Sequence, residues 1–193
     1  MNDSYLTTQL SKPFKTMNGF TIIELMVTIA IAAVLMTVAA PSYTTFIRNS
    51  QLSDAVGEFM SAANAARGNA IKNGINTFLI PNTGKDWSTG WIVFADGDWD
   101  GVYTTGSTSK DVLIMQSPAP NTFLTIATPA GNNSTLADGY LLFNGSGYPK
   151  QKNGGMATGA ISVVNGTTRT TFINIAETGR VRSCIKNATT CTK

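Results

Sequence analysis

Two arginines near the carboxyl end, Arg180 and Arg182, carry the most distinctive chemistry in this sequence. One residue separates them, so in a β-strand both side chains point to the same face, about 6–7 Å apart. This is close to the phosphate spacing along one DNA strand, and guanidinium groups bind phosphate through paired hydrogen bonds. Lys186 and Lys193 follow without another acid. The pattern predicts a sequence-independent, salt-sensitive contact with a nucleic-acid backbone; a solvated strand face, or pairing with aspartates elsewhere, is the alternative.

The charges of the chain are segregated along its length. The net charge is +3, too small to argue for a polyanionic partner by itself. Residues 85–138 hold six Asp and two Lys, whereas residues 140–193 hold seven Lys or Arg and one acid. The carboxyl end is therefore the basic end.

A second candidate site is an acidic D-x-D-x-D-G run, formed by Asp96, Asp98, Asp100 and Gly101. This spacing matches the start of a calcium-binding loop. The closing bidentate Glu is absent, because the twelfth position is Ser107, and Asp111 is a more distant candidate ligand. The incomplete motif favours a polar turn that uses Asp and Gly for their backbone preferences.

The composition argues against enzyme chemistry. The sequence contains no histidine, which removes Ser-His-Asp and Cys-His nucleophilic machinery and every His-ligated zinc or iron site. Its two cysteines cannot complete a four-ligand metal site. We therefore expect no enzyme activity, no cofactor and no metal beyond the weak acidic candidate.

The first element of the predicted architecture is an apolar segment near the amino terminus. Residues 20–40 hold a single charge, Glu24. As a helix this segment spans about 31 Å, enough to cross a bilayer core. Lys12 and Lys15 on its amino side predict that this end stays cytoplasmic. A carboxylate is costly in hydrocarbon unless it is paired, so Glu24 is either paired during assembly or snorkels to the interface.

The junction at residues 15–25, Lys-Thr-Met-Asn-Gly-Phe-Thr-Ile-Ile-Glu-Leu, resembles the cleavage and methylation signature of type IV prepilins. The resemblance implies that a prepilin peptidase removes residues 1–19 after Gly19 and that Phe20 is N-methylated. The new amine of a neighbouring subunit would then pair with Glu24 in a filament of pilins. It also implies a single-pass inner-membrane protein with a periplasmic head that becomes extracellular in the assembled pilus.

The helix is predicted to continue as an amphipathic segment over residues 41–73, with a kink or local unwinding at Pro41 and an end at Asn73-Gly74. Residues 74–193 show short apolar runs between turn residues, which predicts an antiparallel β head of two small sheets. The runs are 76–80, 90–95, 112–117, 122–127, 140–144, 160–164, 168–176 and 180–185.

Two further sets of side chains belong to this head. A periplasmic head favours a disulfide between Cys184 and Cys191, which would tie the basic tail to the last strand. Trp87, Trp91 and Trp99 could stack on bases, but packing is the commoner use of such residues and is our interpretation.

Three segments of the head resemble the GspH/FimT group of minor pilins and pseudopilins: residues 90–101, 143–147 and 177–184. This resemblance implies an α+β type IV pilin fold, with a long N-terminal helix packed on an antiparallel sheet. The Gly-Arg-x-Arg ending is similar to that of the FimT-type competence pilins, whose carboxyl-terminal arginines bind DNA. The implied function is a minor pilin that binds extracellular double-stranded DNA for natural transformation. The alternative is a structural or priming minor pilin, or an H-type pseudopilin of a type II secretion system.

Overall fold

The computed structural model of the chain describes residues 19–107, 109–128, 135–166 and 169–186. Residues 1–18 of the predicted leader, together with Cys191 and Lys193, lie outside these ranges. The chain divides into two compact units, Met1–Tyr43 and Thr44–Lys193.

The first unit is the amino-terminal part of helix α1 (Ile22–Asn73), which begins with a capping box. The Thr21 backbone N–H donates to Glu24 Oε2 at 3.0 Å, and the Glu24 N–H donates to Thr21 Oγ1 at 3.2 Å. The Thr21 hydroxyl donates to the same carboxylate oxygen at 2.9 Å. Reciprocal bonds of this kind satisfy backbone donors that the first turn of a helix leaves free. The Glu24 carboxylate that the sequence singled out therefore has a partner in Thr21, the residue just before the helix.

The helix runs through Pro41 to Asn73 as one assigned element, so the local unwinding predicted at Pro41 is not observed. Among the described residues, no helix taken alone has both the length and the hydropathy of a membrane span. Two consecutive segments, Ile22–Thr37 and Ala39–Asn73, meet both criteria only when they are taken together.

The end of α1 follows the predicted glycine signal. Gly74 has a φ of +69°, and its N–H donates to the Ala70 carbonyl at 2.9 Å. A left-handed residue just after the last turn satisfies a carbonyl that would otherwise be free, and glycine adopts this conformation without a Cβ penalty. The prediction that the helix ends at Asn73-Gly74 is confirmed.

The second unit packs the remainder of α1 against two antiparallel sheets. Numbered in chain order, the strands are β1 (Thr77–Thr83), β2 (Asp86–Ala95), β3 (Val112–Ser117), β4 (Leu124–Ala127), β5 (Leu141–Phe143), β6 (Pro149–Lys150), β7 (Gly159–Asn165), β8 (Arg169–Ile175) and β9 (Val181–Ile185). The five-stranded sheet has the order β3-β2-β1-β5-β6, and the four-stranded sheet has the order β4-β7-β8-β9. The predicted antiparallel head of two sheets is confirmed, and β6 is an additional strand that no apolar run announced.

The core lies between α1 and the sheets because one face of the helix is apolar and largely small. Its buried helix residues are Leu52, Ala55, Val56, Phe59, Ala62, Ala63, Ala66 and Ala70. Alanines allow the helix to approach the sheets closely, while Phe59 fills the space between two tryptophans of β2. This packing fixes β8 and β9 relative to the helix, and the candidate site is built on those strands.

Candidate functional site

The predicted arginine pair lies on the outer side of β9, an edge strand of the four-stranded sheet. Val181 pairs with buried Ile175, whereas Arg182 pairs with Asn174 on the opposite face. Because side chains alternate along a strand, Arg180 shares the face of Arg182. Both arginine side chains are exposed, and within the described residues neither guanidinium has a hydrogen bond or an ion pair.

Lys186 extends this outer face by the same alternation. Its backbone N–H donates to the Thr170 carbonyl at 2.9 Å, so the pairing with β8 continues one residue past the strand. The Lys186 side chain is exposed. We call Arg180, Arg182 and Lys186 the basic face; Lys193, the fourth predicted member, lies outside the described residues.

The basic face is introduced by a tight turn between β8 and β9. The Ala176 N–H donates to the Arg180 carbonyl at 3.0 Å, and the Gly179 N–H donates to the Ala176 carbonyl at 2.8 Å. Gly179 has a φ of +79°. A three-residue hairpin loop that ends in a left-handed residue has this pattern, and it sets the register in which Arg180 enters β9.

The turn is held against α1 by Arg67, a helix residue to which the sequence alone assigned no role. Its Nε donates to the Gly147 carbonyl and its Nη2 to the Thr178 carbonyl, each at 3.0 Å. A Cβ on Gly179 would overlap the Gly147 carbonyl oxygen and lie 2.8 Å from Arg67 Nε. We call this arrangement of Arg67 with the loops at Gly147 and Thr178-Gly179 the Arg67 clamp.

The loop that carries Gly147 in the clamp also requires glycine because it packs closely on the end of the helix. A Cβ on Gly147 would lie 2.6 Å from Ile71 Cδ1, and one on Gly145 would lie 2.6 Å from the Gly74 carbonyl oxygen. The loop that contains these two glycines therefore approaches the end of α1 and Gly74 more closely than a side chain allows. The paired occurrence of these glycines was the only sequence signal for the clamp, and it does not identify Arg67.

The acidic loop after β2 gathers carboxylates in a different combination from the predicted one. Side-chain oxygens of Asp96, Asp98 and Asp111 lie within 4.8 Å of one another. Asp100 is outside this group and instead accepts from the Val102 N–H at 2.7 Å, within its own turn. Of the weak metal candidate Asp96, Asp98 and Asp100, the structure therefore brings the first two together with Asp111, the more distant candidate, because the chain turns back after β2.

Backbone N–H groups donate hydrogen bonds to two of the carboxylates in this acidic loop. Asp96 is buried and accepts from the Trp99 and Gly101 N–H groups at 2.8 and 3.1 Å. Asp111 accepts from the Thr104 N–H at 2.9 Å and from the Gly97 N–H at 3.3 Å. Burial raises the pKa of Asp96 above its ordinary value, and the nearby negative charge of Asp111 raises this pKa further.

The tryptophans divide into two groups. Trp87 and Trp91 are buried, and each packs edge-on against Phe59 with ring centroids 5.4 Å apart. Trp99 is 65% exposed and has a φ of +67°. The packing interpretation is right for the first two and wrong for Trp99, because the turn around Asp96 holds Trp99 in a left-handed conformation away from the core.

Cys184 lies on β9 between Arg182 and Lys186, and the described residues contain no free cysteine. Because Cys191 is outside them, the disulfide with Cys191 stays a prediction.

Comparisons with known proteins point to one family. Residues 55–180 match the family described as type II transport protein GspH, and residues 15–40 match the prokaryotic N-terminal methylation motif. Fimbrial protein Q of Moraxella bovis is 36% identical over 97 residues, which are 50% of this chain and 54% of that protein. The chain thus spans about half the length of this curated relative.

The solved structure of a minor pilin shows the same fold. The type IV minor pilin FimU of Pseudomonas aeruginosa aligns with a TM-score of 0.52 and 17% identity over 71% of this chain and 90% of its own. The minor pseudopilin EpsH of the Vibrio cholerae type 2 secretion system gives a TM-score of 0.48 and 10% identity, over 72% and 99%. The likeness to FimU identifies the helix on antiparallel sheets as the type IV pilin fold.

Proposed function

This chain belongs to the GspH family, and from that membership we propose that it is a type IV minor pilin that binds extracellular DNA, without sequence preference, for uptake in natural transformation. The family comprises structural minor pilins and pseudopilins, and the N-terminal methylation motif implies processing by a prepilin peptidase and assembly with other pilins. The prepilin-like start and the apolar amino-terminal part of α1 are features of membrane-anchored subunits. The proposal includes DNA capture by the head and a single pass of the chain through the inner membrane.

The observation that carries the proposal is the unpaired state of the basic face. The described residues contain a single ion pair, between Lys85 and Asp138, so none of their aspartates or glutamates neutralises Arg180 or Arg182. Two exposed guanidiniums on one strand face can each bind a backbone phosphate. Such contacts carry no base readout, so the expected binding is weak, sequence-independent and salt-dependent.

The basic face is also held on a rigid support. Its strand pairs with β8 along its length, and the Arg67 clamp holds the preceding turn to α1. Charged side chains that are fixed by a scaffold lose less entropy on binding than side chains on a free tail. Several subunits in one filament would add their weak contacts through effective concentration.

Fluorescence anisotropy with a labelled DNA duplex tests this proposal on the full-length chain in detergent. Arg180→Gln/Arg182→Gln should weaken binding at every sequence and lower the slope of log K against log salt by about 2, since about one unit is lost per phosphate contact. Lys85→Gln/Lys110→Gln changes the net charge equally in the acidic part of the chain and serves as the matched control. Equal weakening by both double variants, or by neither, would show that the basic face is not the DNA site.

The family match also favours a second function, that of a structural or priming minor pilin or of an H-type pseudopilin in type II secretion. Both functions use the same processing at Gly19 and Phe20 and the same assembly role for Glu24. A deletion strain separates them. Normal piliation with lost DNA uptake supports DNA capture, whereas lost piliation or lost protein secretion supports the second function.

A further inference from the structure

A groove of about 460 Å³ lies between α1 and the edge of the four-stranded sheet, and its lining includes Ser183, Cys184 and Ile185 of β9. Leu52, Val56 and Met60 of α1 form its apolar wall. On the sheet side, the lining also includes Arg169 and Thr171 of β8. The groove is thus a mixed apolar and polar surface along an open strand edge.

The backbone of β9 offers hydrogen-bonding groups along this edge. The bonds from Lys186 N to the Thr170 carbonyl and from Ala176 N to the Arg180 carbonyl direct the even-numbered residues toward β8. Because antiparallel pairing alternates, the N–H and C=O groups of the odd-numbered residues, such as Ser183 and Ile185, point away from β8. No described residue pairs with them, and an unpaired strand edge is a template for an added strand.

Two side chains in the groove lack the partners that their chemistry requires. Thr171 is only 6% exposed, and its hydroxyl has no hydrogen-bond partner in the part of the chain that the structure describes. Arg169 is half-buried, and within the described residues its guanidinium has neither a hydrogen bond nor an ion pair. A buried hydroxyl and a partly desolvated cation side by side fit a carboxylate, which accepts from both.

We infer that this groove binds an extended, acidic segment of another subunit of the same filament. The segment pairs with the free edge of β9, packs an apolar side chain on Leu52, Val56 and Met60, and places a carboxylate on Arg169 and Thr171. The positive charge of Arg169 favours an acidic segment, and the open edge of β9 favours an extended one. The inference rests on membership of a pilin filament and is independent of DNA capture.

A photo-crosslinking amino acid at Met60 of the full-length chain, in host cells that assemble filaments, identifies the occupant. We expect a covalent adduct with an acidic, extended segment of a different filament subunit, located by peptide mass spectrometry. The same probe at Val112, which is exposed on an edge strand of the other sheet, is the positional control. Adducts with this chain's own residues 187–193, with a second copy of the chain or with lipid, or no adduct at all, would overturn the inference.

Thr171→Val supplies an independent readout because its two expected effects have opposite signs. Removal of a buried hydroxyl without a partner should raise the melting temperature of the isolated chain. Loss of a hydrogen bond to a carboxylate should lower the Met60 adduct yield and the amount of the chain in sheared filaments, by about tenfold. Thr171→Ser keeps the hydroxyl and should restore both quantities.

DNA binding by Thr171→Val should equal that of the unsubstituted chain, because Thr171 lies on β8 and is not part of the basic face. Unchanged filament incorporation of Thr171→Val would overturn the groove inference and leave DNA capture standing. Unchanged DNA binding by the arginine variant would do the reverse.

Discussion

A substitution at Gly179 tests most directly the close packing between the turn and α1 in the Arg67 clamp. Gly179→Ala places a methyl group against the Gly147 carbonyl oxygen and Arg67 Nε. Gly154→Ala is the matched control, since Gly154 has a φ of +87° against +79° for Gly179, and a Cβ there would meet no atom within 4 Å. Both variants strain the backbone alike, so their difference isolates the contact with the clamp.

The expected difference follows from what must move. A left-handed alanine costs about 1–2 kcal/mol in either variant. At Gly179 the turn must also shift away from α1, which breaks the Arg67 bond to the Thr178 carbonyl and loosens the bond to the Gly147 carbonyl. Hydrogen bonds of a charged donor contribute roughly 1.5–3 kcal/mol each, and partial exposure of Arg67 to water reduces this. The extra cost is therefore about 2–3 kcal/mol.

Thermal unfolding of the full-length chain in detergent, followed by fluorescence of the buried tryptophans, measures both variants. An extra cost of about 2–3 kcal/mol corresponds to a melting temperature roughly 4–12 °C lower than that of the control. The DNA affinity of folded Gly179→Ala should also fall, since the turn sets the position of Arg180. Equal melting temperatures for Gly179→Ala and Gly154→Ala would refute the clamp as a stabilising contact.

Three further predictions follow from the other sites. Glu24→Gln keeps the capping-box acceptor but removes the charge, so membrane insertion should persist while incorporation into sheared filaments is lost; normal incorporation would assign Glu24 to helix capping alone. Because the pKa of Asp96 is raised, the Asp96 carboxyl keeps its proton to higher pH in the folded chain than in the unfolded chain. The melting temperature should therefore fall as pH rises from the ordinary aspartate range through the raised value, and Asp96→Asn should flatten this slope. Mass spectrometry of the unreduced chain should show Cys184 and Cys191 oxidised, and two alkylatable thiols would contradict the predicted disulfide.

The elements of this fold were predictable where local chemistry decides them. The glycine after Asn73 ends α1 because its backbone satisfies the final carbonyls, and β3 occupies the predicted residues 112–117. The strand β6 is only two residues long, which is too short for an alternating or continuous apolar pattern. Pro41 was expected either to kink the helix or to unwind it locally, and of these two alternatives the unwinding is not observed, because α1 continues through Pro41.

The candidate site was predictable only in the parts that depend on the strand period. Alternation alone places Arg180 and Arg182 on one face. The edge position of β9 depends on the order of strands in the sheet, which no local pattern encodes. Arg67 bonds to carbonyls 80 and 111 residues away, and Asp111 joins Asp96 only because the chain doubles back after β2. Arg67 was missed because its partners are distant in sequence, and for the same reason Asp111 was named only as a distant candidate ligand.

The Arg67 clamp also determines how mechanical force would travel through the head. Under the proposed function, a pull on the filament would load each subunit through its long helix, and a bound DNA polymer would load it at Arg180 and Arg182. The Arg67 bond to the Thr178 carbonyl joins α1 to the turn that precedes β9, and the bond to the Gly147 carbonyl joins α1 to a second loop, so tension on β9 would reach the helix without crossing the sheet strand by strand. A subunit built in this way can bear a load at its arginines without shearing the hydrogen bonds between β8 and β9.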